Sequence, residues 1–202
     1  MRSVEPFNIG VLLFEDVELM DFAGPFEVFS VASRIQDTHV LNVFSIGLHP
    51  NNIKTWNRVL IQPDYTILNH PEIHFLVVPG GSGTKALVEN STFITWLESR
   101  LNQAECVMGV CSSTRIFAQL GLLNDNPFCT HHSVYDEITT KYPSSIPHKN
   151  KRFVKTTNKL YTSAGVSAGI DLAFYLLGKI TDSEIVDLTA KYMEYPIRHS
   201  IP

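Results

Sequence analysis

The chain has 202 residues, 44% of them hydrophobic, and a formal net charge of −4. That is enough apolar material for one sizeable core. Lys and Arg form no basic stripe, which argues against a nucleic-acid partner, and no apolar run reaches the ~18 residues of a spanning helix, which argues against a membrane partner.

The first buried strand is expected at Phe7 to Phe14, a mostly apolar stretch. Glu15, Asp16 and Glu18 follow at once, a pattern wrong for a signal peptide. Asp21 to Ile35 reads as a helix with Pro25 near its start, where proline is tolerated. His39 to Ile46 is a second strand, and Arg58 to Gln62 and Tyr65 to Leu68 are short extended pieces. Glu72 to Val78 is a third main strand, broken by Pro79-Gly80-Gly81-Ser82-Gly83.

Ser91 is placed as the cap of a helix whose Phe93, Ile94, Leu97, Leu101 and Ala104 share one face. Cys106 to Val110 reads as a buried strand, and Arg115 to Leu120 as a helix ended by Gly121. A turn at Asn124 to Pro127 leads to a short strand, Phe128 to His131, and a helix, Ser133 to Lys141. Phe153 to Thr156 and Leu160 to Thr162 form a hairpin. Val166 to Leu177 is a buried helix, and Thr181 with Glu184 makes a capping box for a last helix to about Tyr195. Strands alternating with helices imply an α/β layered fold with a mainly parallel sheet, read as a single domain over 1–202.

Three loops leave the carboxyl ends of strands, where ligands gather in open parallel sheets. Each carries something chemical. Cys111 stands between a strand and the helix-starting Ser112-Ser113-Thr114, in the geometry of a nucleophile elbow. The field of the helix N-terminus should lower its pKa; otherwise it is a buried structural cysteine. The glycine loop is either a tight turn or an anion cradle, in which the Gly81 and Ser112 amides stabilise charge developing on a substrate. In the acidic segment, Asp21 caps the helix or joins Glu18 as a candidate proton relay to the thiol, and position alone does not choose between the two acids. His131 and His132, on a strand, would point in different directions. Cys106 and Cys129 read as buried small residues, Trp56 and Trp96 as packing residues. Three cysteines with none paired at metal-ligand spacing argue against a disulfide framework or a zinc site and for a reducing cytoplasm.

At these residues the chain resembles the ThiJ/PfpI superfamily, the class I glutamine amidotransferase-like fold. The resemblance rests on Asp21-Phe22-Ala23-Gly24-Pro25-Phe26-Glu27-Val28-Phe29, Val77 to Gly83, Val110-Cys111-Ser112-Ser113, Thr130-His131 and Thr162 to Leu172. Within the superfamily it points to the isonitrile hydratase-like subgroup and to the amidotransferase-like domain of AraC-type regulators. It implies a flavodoxin-like three-layer α/β sandwich with a nucleophile elbow, a homodimer, a small-molecule substrate, Cys111 as nucleophile and no metal or organic cofactor. It favours Asp21 over Glu18 as the acid partner and implies a pocket bounded by Glu18, Gly80, Ser113, His131 and His132. Two departures stand out: Cys111-Ser112-Ser113 where hydratases carry Cys-Thr-Gly, and Thr130-His131-His132 where Thr-His-Trp is usual. The regulators carry a helix-turn-helix domain after the sandwich; with Pro202 as the last residue, a stand-alone transcription factor is not expected.

The leading expectation is a hydratase that converts isonitriles to N-substituted formamides through a Cys111 thioimidate. The alternatives are a glyoxalase-like or deglycase-like enzyme acting on dicarbonyls, an amidase or protease using His131 as base, and a redox sensor or ligand-binding module.

Overall fold

The computed structural model describes residues 6–35 and 41–197. Strand β1 (Phe7–Leu13) leads to helix α1 (Leu19–Ile35) and strand β2 (Leu41–Gly47). Three two-residue strands follow: β3 (Ile53–Lys54), β4 (Leu60–Ile61) and β5 (Tyr65–Thr66). Then come β6 (Phe75–Val78), helices α2 (Thr84–Leu87) and α3 (Ser91–Gln103), and β7 (Cys106–Val110). A 3₁₀ turn over Cys111–Ser113 runs into α4 (Thr114–Gln119). Strand β8 (Pro127–Phe128), helix α5 (Tyr135–Lys141), strand β9 (Ile146–Pro147), the hairpin β10 (Phe153–Lys155) and β11 (Leu160–Ser163), and helices α6 (Ala168–Ile180) and α7 (Ser183–Tyr192) complete it.

The main sheet has the order β10-β11-β7-β6-β1-β2-β5. Every pair in it is parallel except the β10–β11 hairpin. Its central strands carry runs such as Phe75-Leu76-Val77-Val78, all buried, as a sheet covered on both faces requires. From β1 the chain moves outward to β2, whereas from β6 it moves the opposite way to β7 and β11. Right-handed crossovers therefore place α1 on one face and α3 and α4 on the other. Helices α6 and α7 return to pack on α1, closing a three-layer α/β sandwich. The reversal of direction between β1 and β6 is the topological switch point.

Several boundaries shift from the sequence reading. Helix α1 starts two residues earlier than expected, so Pro25 lies inside it. Proline has no N–H to give the carbonyl of Asp21 four residues back, so that helical hydrogen bond is absent. The third main strand covers only Phe75–Val78. Asn90, not Ser91, caps α3, accepting from the Phe93 amide at 3.0 Å. Asp182 caps α7 through the Ile185 amide, whereas Thr181 turns back to the Leu177 carbonyl, so no Thr181–Glu184 box forms. His39 and Val40, part of the expected second strand, lie outside the described residues. The strand expected at Phe128 to His131 ends at Phe128, and α5 begins at Tyr135.

Candidate active site

Cys111 occupies the step from β7 into the 3₁₀ turn with φ of +57°, a left-handed conformation that L-residues adopt at a cost. The surroundings hold it there. Its carbonyl accepts from Thr130 Oγ1 at 2.8 Å, and Thr114 Oγ1, 3.4 Å from the same carbonyl, donates to Thr130 Oγ1 at 2.7 Å. Both threonines are fully buried. Gly109, two residues upstream, admits the Phe117 ring, which a Cβ would meet at 2.4 Å.

Asp21 lies behind the thiol, fully buried. It caps no helix. Its Oδ2 accepts from the Gly80 amide and its Oδ1 from the Val166 amide, each at 3.1 Å. The acid from α1 thus ties together the loops that follow β6 and β11. Val166 is a second left-handed residue, at φ +50°, and β-branched, so the turn that aims its amide at Asp21 is itself strained.

Burial dominates the electrostatics. It pushes the Asp21 carboxyl up to about 7, against hydrogen bonds from Cys111, Gly80 and Val166 and with help from the Glu18 charge. The Cys111 thiol is pushed up to about 12, first by burial and then by the Asp21 charge, while the Ser112 and Val166 amides pull the other way. The expected lowering of the thiol pKa is therefore corrected. The thiol of a cysteine only 6% exposed beside a carboxylate loses more from desolvation and repulsion than one 3₁₀ turn and a six-residue helix return.

The glycine loop approaches from β6. Gly80 is a close-contact glycine: a Cβ there would lie 2.6 Å from the Ser112 nitrogen and 2.8 Å from Asp21 Oδ2. Gly81 takes φ +134° and forms an antiparallel bridge with Val17, and the Glu18 amide donates to the Gly80 carbonyl at 2.9 Å. The Gly81 amide donates to Ser112 Oγ at 2.9 Å, and that hydroxyl donates back to the Gly81 carbonyl at 3.1 Å. The expected pair of free amides is thus not assembled: the Ser112 amide faces the sulfur, but the Gly81 amide is engaged by the Ser112 hydroxyl.

In front of the sulfur opens a cavity of about 310 Å³. Cys111, Ser112, Gly81, Glu18 and His131 line it, so the loops after β1, β6 and β7 do converge. Gly80, Ser113 and His132 do not line it. Ser113 is fully buried beneath the elbow against Gly109, and its hydroxyl has no hydrogen-bond partner among the described residues. His131 and His132 do not point apart: with no strand to alternate them, their rings pack at 4.2 Å. The His131 ring bonds Ser133, accepting the Ser133 amide at 3.3 Å with the hydroxyl at 2.8 Å, and burial holds its pKa below the usual range.

Other wall residues were not expected. Trp56 is 61% exposed and borders the cavity, held there by its amide, which donates to the Val17 carbonyl at 3.0 Å. Nothing local in the sequence marks it, because its position depends on a pairing between distant loops. Lys85 and Arg115 also line the cavity. Each stands four residues after a residue already singled out, Gly81 and Cys111, and helical spacing is the signal that could have found them. Arg115 is clamped by Glu137 through two bonds of 2.7 Å and reaches Thr84 Oγ1 at 3.2 Å. Of the remaining cysteines, Cys129 is fully buried, whereas Cys106 is only half-buried at the strand start.

Known proteins resemble this chain in sequence and in fold. A family profile described as the DJ-1/PfpI family matches residues 8–179. An isonitrile hydratase of Pseudomonas putida is 30% identical over 188 residues, 93% of this chain and 78% of its own. A ThiJ/PfpI family protein of Pseudomonas syringae superposes with a TM-score of 0.83 at 22% identity, covering 98% of this chain and 79% of that one. Drosophila melanogaster DJ-1beta superposes with a TM-score of 0.81 at 21% identity, covering 95% and 99%. These two structures speak to the fold, and the matching profile, which runs from within β1 nearly to the end of α6 and includes the Cys111 elbow, places this chain in the DJ-1/PfpI family.

Proposed function

We propose that this protein is a cysteine-dependent hydratase of isonitriles, releasing N-substituted formamides. The observation that carries the reading is the buried Asp21 carboxylate set against the Cys111 thiol at a strained elbow. The relative at 30% identity, itself named isonitrile hydratase, supports the substrate class.

A thiol pushed up to about 12 is seldom ionised near neutrality, so its proton must leave as the bond forms. Asp21, pushed up to about 7, is poised to take that proton and return it. In the first step the sulfur attacks the terminal carbon of R–N≡C. The thiol proton passes through Asp21 to that carbon, giving the thioimidate R–N=CH–S–Cys111. Water then adds to the same carbon; Asp21 takes one of its protons and passes it to nitrogen, giving R–NH–CH(OH)–S–Cys111, whose hydroxyl proton is the one later returned to sulfur. The tetrahedral adduct collapses, the carbon–sulfur bond breaks, and Cys111 regains its proton as R–NH–CHO departs. The net change is addition of one water. The Ser112 amide, which faces the sulfur, stabilises negative charge there as the thiol gives up its proton and again as the adduct collapses. The homodimer implied by the sequence resemblance, and a reducing compartment suited to three free cysteines, belong to this reading.

The test is formamide production from several isonitriles, followed by chromatography. Wild type should turn over, and Cys111→Ala and Asp21→Asn should lose activity by at least about a hundredfold. Absence of turnover across all of them rejects the hydratase. Lactate from methylglyoxal without formamide would move the assignment to the glyoxalase-like alternative.

A further inference from the structure

We infer that the cavity selects a substrate bearing a carboxylate, held at the Lys85 and Arg115 wall while the reacting carbon lies against Cys111. The inference rests on the reading of Cys111 as the reacting atom, but not on the electrophile being an isonitrile.

The wall is asymmetric. Lys85 and Arg115 both line the 310 Å³ cavity and also a neighbouring recess of about 200 Å³, so they form the partition between the two. Arg115 is fixed by Glu137 and Thr84, which orients the guanidinium and offsets part of its charge. Lys85 has no carboxylate within 4 Å among the described residues. On the recess side Glu89, Glu137 and Lys141 share the lining, and the Glu137 carboxylate feels the charges of Arg115, Lys85 and Lys141 together; on the cavity side, among the described residues, Glu18 is the carboxylate that lines the wall. Ser82 and Ser133 add hydroxyls to the rim, and Trp56 and Val166 supply apolar area. An exposed lysine that lines the same space as a fixed guanidinium and hydroxyls, a space that fits a small molecule, suits a carboxylate.

The experiment compares alkylation of Cys111 by iodoacetate and iodoacetamide, which differ in charge but share leaving group and size. In each reaction the sulfur–carbon bond forms as the carbon–iodine bond breaks; iodide departs and the thiol proton goes to buffer. Peptide mass spectrometry separates Cys111 from Cys106 and Cys129. The measured quantity is the ratio of the two rates, referred to N-acetylcysteine in the same buffer, so that a general loosening of the fold, which moves both rates together, cancels. Lys85→Met should lower the ratio about threefold, the size of one screened ion pair, and Glu137→Gln, which frees the Arg115 charge, should raise it. A ratio that neither substitution moves overturns the carboxylate preference. Failure of Cys111 to react with either reagent overturns it as well, together with the nucleophile assignment. Alkylation requires no hydration, so lack of formamide and an unchanging ratio are separate results.

Discussion

The carboxylate of Asp21 and the thiol of Cys111 face each other at the back of the cavity, the acid fully buried in the first turn of α1 and the thiol just beyond the end of β7. Both are buried acids raised by desolvation; the Asp21 charge makes the thiol harder to ionise, whereas the hydrogen bond from Cys111 favours the Asp21 carboxylate and only partly offsets its burial. They titrate as a pair, and it is the pair that gives the site a proton to move near neutral pH.

Removing the carboxylate charge should therefore make the sulfur a stronger acid while abolishing turnover. In Asp21→Asn the Cys111 thiolate should appear at lower pH than in wild type, read from ultraviolet thiolate absorbance or from the pH dependence of iodoacetamide alkylation. If the thiol instead ionises later in the variant, repulsion is not what holds it up.

Stability should fall as pH rises through the acid range. Asp21 binds its proton up to about 7 when folded, against an ordinary 3.8. Below about 4 both states hold the proton and nothing is lost. Between about 4 and 7 the unfolded chain ionises first, so folding loses up to about 4 kcal/mol, and the loss is complete above 7. Denaturant midpoints measured from pH 4 to 8 should show this slope in wild type and lack it in Asp21→Asn.

Strain at the elbow can be read by comparing two inactive variants. Cys111→Ala keeps a Cβ at φ +57°, whereas Cys111→Gly does not. Despite the flexibility it adds to the unfolded chain, the glycine variant should match or exceed the alanine variant, by up to about 1 kcal/mol in chemical denaturation. An alanine variant more stable by that margin would mean that the conformation carries no strain.

Gly80→Ala should damage stability and activity together. The added methyl would lie 2.6 Å from the Ser112 nitrogen and 2.8 Å from Asp21 Oδ2, and neither neighbour is the loose end of a flexible chain. A destabilisation of about 1–3 kcal/mol is expected, with a fall in kcat of the remaining folded enzyme. Wild-type kcat in a folded variant would show that the loop can retreat without disturbing the pair.

The amino-acid sequence by itself determined the layered α/β plan. Apolar runs such as Ile9 to Leu13 and Phe75 to Val78 specify strands covered on both faces, and the periodic face of Ser91 to Gln103 specifies a helix against them. It also marked Cys111 as an elbow residue and brought Asp21, Gly81, Glu18 and His131 into consideration, because strand ends, glycines and acids are local signals. Only the tertiary structure decided how acidic the thiol is, since desolvation depends on everything packed around the sulfur and not on its neighbours in the chain. The same holds for the Gly81 amide, taken up by a hydroxyl 31 residues away, and for Trp56, Lys85 and Arg115, whose place at the cavity follows from loops meeting across the switch point. Pattern is written in short range; ionisation and pocket chemistry are set by contacts between segments far apart in sequence.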